Sequence, residues 1–337
     1  MASGPPNRGT LSRKSSAPWD RLRPVKQDPL ENMGYVSKGD NRLLDLKTQE
    51  SFYNKIVARY MQFCTQHSKD LDNAFASLSL EEGRSASTNS TGNLPSRIHP
   101  YGQGQVVPPS SVGLPPLTGT QQVGSATASP SSELSMILTA LRKLREGLLG
   151  SSSTASSPVF SQRVHVFNVR VAILALHPPS YHPSLLHLLF VLHTPAHPLP
   201  QAELAEMTTY MILDMATRQN DLCNAYALRY NSRVRFRYES KTADKLLRSI
   251  VMDDWVSFWR VRRKVDGYVR SILFWHLETQ RKLALKAIGR TYLTSDIKWV
   301  LDSATGGEMS WEELVESEQV GWSREGEKAI IRKPKGR

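Results

Sequence analysis

From residue 133 onward, apolar residues recur at spacings of three and four almost without interruption. That period belongs to α-helices with one face in a core, because a turn takes 3.6 residues. Leu134, Ile137, Leu138, Leu141, Leu144 and Leu148 mark the first such helix, started by serines and ended near Gly150. The stretch 160–176 holds Val164, Val166, Val169 and Val171, whose branching suits a strand. Its Phe160, Val164, Phe167, Val171 and Leu174, however, repeat at four and three over a long run, which favours a helix. Further helices are expected over 181–193, with Pro183 in the first turn, and over 201–218, 221–230, 242–251, 255–264 and 268–292. Connections this short stack helices antiparallel, and the rhythm suggests a short solenoid without a strict repeat.

The last residues change character. After a helix ending near Tyr292, the pattern predicts a short helix over 295–303 and a third over 311–318, with Ser310 as its N-cap. Two short strands, 320–323 and 329–332, flank a turn at Glu325 and Gly326. Three helices closed by a hairpin make a winged helix. The fold class expected is therefore mainly α, a helical-hairpin solenoid followed by a C-terminal winged helix. The expected division is a disordered tail over 1–42, a helical segment over 43–84, a disordered linker over 85–132, a helical repeat domain over 133–280, a winged helix over 281–333 and a basic tail over 334–337. In the helical segment Tyr53, Ile56, Val57, Tyr60, Phe63 and Cys64 share a face, and Leu71, Ala74, Phe75 and Leu78 continue it. The linker has one charged residue, Arg97, and too little apolar surface to offset its ordering entropy.

No apolar run approaches the ~18 residues of a membrane span, and the start of the chain lacks the apolar centre of a secretory signal. The two cysteines, Cys64 and Cys223, lie far apart, so neither a paired zinc site nor a disulfide is expected. These features predict a nuclear and/or cytoplasmic protein, not secreted, with no membrane partner.

Certain segments resemble a known family. The run Arg281, Lys282, Leu283, Ala284, Leu285, Lys286, Ala287, Ile288, followed by Arg290, Thr291 and Tyr292, is similar to the first winged-helix segment of PCI-domain proteins. Thr208 to Leu213 resembles a helix that precedes a turn in the GANP-type branch, which groups messenger-RNA export scaffolds with proteasome-lid, signalosome and initiation subunits. The stretch 247–259, with Asp253, Asp254 and Trp255 followed by Phe258 and Trp259, is similar to a helix pair of the same branch. The resemblance covers about residues 133–332. It implies a scaffold in which helical hairpins stack on a winged helix, and winged helices of different subunits pair edge to edge.

Chemistry finds little footing. Nucleophile elbows and phosphate loops are absent, and the Gly102, Gly104 pair has no strand and helix around it. His165, His177, His182, His187, His193 and His197 fall close together, but no Asp or Glu occurs from Arg163 to Pro200, and helical spacing separates most of them. Asp253 and Asp254 suit a helix N-terminus better than acid–base work. Trp255 and Trp259, four apart, read as core beside Phe258, Ile272 and Leu273, with base stacking as the competing reading. No enzyme activity, metal or cofactor is expected.

Charge is the informative property. The chain carries +12, and residues 229–290 hold 16 Lys or Arg against 6 Asp or Glu. Arg229, Arg233, Arg235, Arg237, Lys241, Arg260, Arg262, Arg263 and Lys264 are the candidate nucleic-acid contacts, since arginines interleaved with aromatics suit a phosphate backbone. A solvated face, or a patch for an acidic subunit, is the competing reading. Residues 295–327 hold nine acidic residues against Lys298 and Arg324. Their third helix has Glu312, Glu313, Glu316 and Glu318, which would repel DNA. The winged helix is therefore expected to dock onto other subunits of a complex, and the helices before it to contact RNA. The first expectation is a non-catalytic scaffold in nuclear messenger-RNA processing or export. The alternative is a structural subunit of a proteasome-lid, signalosome or initiation assembly that binds no nucleic acid.

Overall fold

The computed structural model of the chain describes residues 28–79, 129–151 and 157–332. The architecture is mainly helical, with one small three-stranded sheet near the end. Helix α1 spans Leu46–Gln66, α2 residues 71–79, α3 Pro130–Gly150, α4 Pro158–Leu174 and α5 Pro178–His187. Next come α6 (Gln201–Thr217), α7 (Leu222–Phe236), α8 (Lys241–Val251), α9 (Trp255–Arg262) and α10 (Gly267–Leu273). Then α11 (Leu277–Thr291) leads to strand β1 (Thr294–Asp296), α12 (Ile297–Thr305), α13 (Trp311–Glu318), β2 (Ser323–Glu325) and β3 (Lys328–Ile330).

Of the stretch 160–176, Ala175 and Leu176 form a turn and residues 160–174 lie in helix α4, in line with their three–four spacing. Its β-branched side chains are buried: Val164, Val166, Val169 and Val171 all sit in the core. Helix α5 begins at Pro178, where the missing N–H is one of the orphans at a helix start, so Pro183 lies inside the helix and not in its first turn. A π turn, Leu188–Leu192, follows it. The long helix expected over 268–292 is broken by a 3₁₀ turn, Phe274–His276, which no Gly or Pro announces. Helices α1 and α2 share one core with α3–α10, through Phe52, Ile56, Phe63 and Phe75. Tyr53 meets Phe160 and Phe167 edge-on, each with ring centroids 5.7 Å away. The tail boundary expected at residue 42 falls inside a packed segment. Leu30 and Leu43 are buried, and the Lys143 amine donates to the carbonyls of Leu30 (3.3 Å) and Glu31 (3.4 Å). Their partners come from α3, far along the chain, which a local pattern cannot reveal. Helix α3 starts three residues before the expected boundary, with Ser129 as its cap. Residues 1–27 of the expected tail over 1–42, residues 85–128 of the expected linker over 85–132, and the basic tail 334–337 lie outside the described residues. Helix α10 packs on both α4 and α6, contacts that a strict nearest-neighbour stack does not make.

A second, smaller core joins Ala284, Ile288, Ile297, Val300, Leu314 and Ala329. Strand β3 is central, antiparallel to β1 (Ser295 opposite Ala329) and to β2 (Arg324 opposite Ala329). Ser310 caps α13, as expected, and forms a reciprocal box with Glu313. The two cores meet at α9, which packs on α11 and α12, and Trp255 touches both. Gly306 ends α12 in the left-handed region (φ 68°), and a Cβ there would stand 2.6 Å from the Trp259 ring.

Candidate nucleic-acid interface

The nine predicted basic residues divide into three groups. Arg229 is half-buried and forms a bidentate pair with Asp244, tying α7 to α8; one arm, Nη2 to Oδ2, measures 2.8 Å. Arg262 is buried, pairs with Glu308 and lies 5.7 Å from the Trp259 ring centroid. Arg263 donates to the Gly306 carbonyl at 3.2 Å. Arg262 and Arg263 thus hold the small C-terminal core onto α9, and Arg262 is withdrawn from any phosphate. The predicted role is corrected for Arg229 and Arg262: each has a local carboxylate that the sequence could not place beside it.

Arg233, Arg235, Arg237, Lys241, Arg260 and Lys264 are exposed. Helix α7 extends to Phe236, beyond the expected end at Tyr230, and Arg237 caps it with φ 58°. Residues two apart on a helix differ by about 200°, so Arg233 and Arg235 point to opposite flanks. Arg233 shares the flank of Arg229 and α8, with Glu239 3.9 Å away. Arg235 borders a groove on the other side.

Helix α8 supplies what the sequence reading missed. Its Ala243, Leu246, Leu247 and Ile250 are buried, while Lys241, Lys245 and Arg248 are exposed at i, i+4 and i+7. That spacing makes a basic stripe of about 10 Å along one face. Strict apolar spacing on the opposite face was the available signal. The stripe runs toward Arg260. Asp254, whose carboxyl is held below the usual range first by hydrogen bonds with Ser257, also feels the charges of Arg260 and Arg248. Tyr226 and Tyr230 stand one turn apart on the exposed side of α7, beside Arg233. Aromatic faces and cations therefore share the α7–α8 surface, a pairing that single-stranded nucleic acid can use.

The tryptophans mostly pack. Trp259 and Trp311 are buried, and Trp255 bridges the cores. Among the described tryptophans Trp299 is the exposed one, edge-on to Tyr292 with centroids 5.2 Å apart. The histidines do not converge. His165 is buried against His187, ring centroids 4.9 Å apart, and burial, with the charges of His187 and Arg145, pushes it down to about 3. Among the described residues, no three His, Cys, Asp or Glu side chains are grouped to hold a metal ion.

The C-terminal unit has the opposite surface. Glu312, Glu313 and Glu316 are exposed on α13, where Glu312 lies 3.2 Å from Arg324 and Glu318 lies 3.2 Å from Arg281 of α11. No helix among the described residues is long and apolar enough to cross a membrane. No family model matches the chain, and no curated protein matches it.

Proposed function

We propose that the chain is a non-catalytic scaffold subunit of the PCI type, with a helical stack that contacts RNA and a winged helix that docks onto other subunits. The observation that carries this reading is the separation of charge. Exposed Arg233, Arg237, Lys241, Lys245, Arg248 and Arg260 gather on α7–α9, while α13 presents carboxylates. Phosphates are drawn to the first surface and repelled by the second. The order α11, β1, α12, α13 and hairpin, around its own core, supports the winged-helix reading of the last unit. Exposed Trp299, Tyr292 and Leu293 beside the edge strand β1 give that unit an apolar contact surface suited to a neighbouring subunit. A nuclear role in messenger-RNA processing or export follows from the resemblance joined to this surface.

The test is binding of oligouridine as a function of salt. Reversing Arg233, Arg237, Lys241, Lys245 and Arg248 to Glu should flatten the log–log salt slope by about 0.7 for each phosphate contact removed. Arg262 and Arg263 are left alone, because changing them disturbs the junction. Unchanged RNA affinity in a folded variant refutes the RNA contact. Loss of a co-purifying acidic subunit with unchanged RNA affinity favours the alternative, a purely structural subunit of a lid, signalosome or initiation assembly.

A further inference from the structure

The flank of α7 away from α8 carries a second surface that the RNA reading does not use. A groove of about 370 Å³ lies between the π turn Leu188–Leu192, α6 and α7. Leu189, Leu204, Leu228 and Phe236 supply apolar lining, with Phe190 and Arg235 also on the groove. Phe190 and its neighbour Val191 are 56% and 57% exposed, which is costly for side chains of this kind in water. The turn that projects them is a π turn, a distortion that helices tend to keep where it serves a function.

We propose that this groove docks an acidic amphipathic helix from a partner protein. Its size lies in the range of pockets that accept apolar anchors, and an amphipathic helix offers such anchors at i, i+3, i+4 and i+7. Charge decides the polar face of the occupant. No carboxylate lines the groove, no Asp or Glu occurs from Arg163 to Pro200, and Arg235 stands on it. A basic helix would bring its cations to Arg235; an acidic one meets it with opposite charge at the groove. Nucleic acid fits this surface poorly, because among the lining residues a single arginine is available to meet phosphates.

Selection of random 16-residue peptides displayed on phage, using the intact chain as bait, tests the proposal. Enriched peptides should be net acidic, with aliphatic or aromatic residues at helical spacing. A synthetic version should bind at least tenfold more weakly to Phe190→Asp and to Arg235→Glu, both exposed positions whose fold circular dichroism verifies. Oligouridine affinity should not change in Phe190→Asp, which separates this surface from the RNA contact. The proposal is overturned if nothing enriches, if enriched peptides are neutral or basic, or if Phe190→Asp leaves their affinity unchanged. Loss of oligouridine binding in Phe190→Asp also overturns it, by giving the groove to RNA.

Discussion

Replacing Gly306 by alanine should be among the most damaging single-methyl changes in this chain, because two independent costs fall on one atom. The backbone there has φ 68°, a left-handed conformation that costs an ordinary residue about 1–2 kcal/mol. The new Cβ would also stand 2.6 Å from Cε3 of Trp259 and 3.1 Å from its Cδ2, well inside the ~3.5 Å at which carbons pack. Trp259 has little room to give way, since it is only 2% exposed and lies edge-on to the buried Phe258. Overpacking of that kind costs about 1–3 kcal/mol. Gly307→Ala is the matched control. Its φ is 81°, but a Cβ there meets only Asp302 Oδ1, at 3.1 Å. Both substitutions change the unfolded chain alike, so that contribution cancels between them. Urea unfolding followed by tryptophan fluorescence should show Gly306→Ala losing about 1–3 kcal/mol more than Gly307→Ala. Equal losses would show that α9 and the C-terminal unit are not packed as tightly as described.

Three further outcomes follow from the same structure. His165 is neutral in the fold, its folded value near 3 against an ordinary 6.5, so its stability contribution is present above pH 6.5 and is lost as pH falls toward 3. In this window His165→Leu should lose up to ~1.4 kcal/mol less per pH unit than the unaltered chain, read by urea midpoints, and parallel pH curves would refute it. Asp214 is fully buried and accepts hydrogen bonds from Tyr181 (2.7 Å), Arg218 (2.7 Å) and Gln219 (2.8 Å), so Asp214→Ala should cost about 3–5 kcal/mol; a loss below ~1 kcal/mol on calorimetry contradicts that network. Arg229→Ala should loosen α7 against α8 and raise amide exchange in both, whereas Arg237→Ala, which keeps an exposed position, should not.

What was legible in the sequence was what is encoded locally. Ser310 caps α13, which begins and ends where its pattern places it. The hairpin is present, but its strands pair at 323–325 and 328–330, displaced toward the turn from the expected 320–323 and 329–332, and Glu325, expected in the turn, lies in a strand. Strand β1 was missed because Thr294, Ser295 and Asp296 carry no strand pattern; pairing with β3, distant in sequence, makes them one. The same holds for residues 28–43, where Leu30 and Leu43 gain meaning only against α3. At the candidate site, counting charge pointed to α7–α9 but could not separate cations facing solvent from those facing Asp244 or Glu308. Lys245 and Arg248 were within reach, since α8 alone shows apolar and basic residues on opposite faces.

Ultraviolet cross-linking of oligouridine to the chain, with the attachment points located by peptide mass spectrometry, tests the central claim most directly. Cross-links should fall between residues 226 and 264, on Tyr226, Tyr230 and the neighbouring basic residues, with none on α13. Cross-links concentrated on α12 and α13, or none anywhere at low salt, would contradict an RNA-contacting helical stack with a docking C-terminal unit.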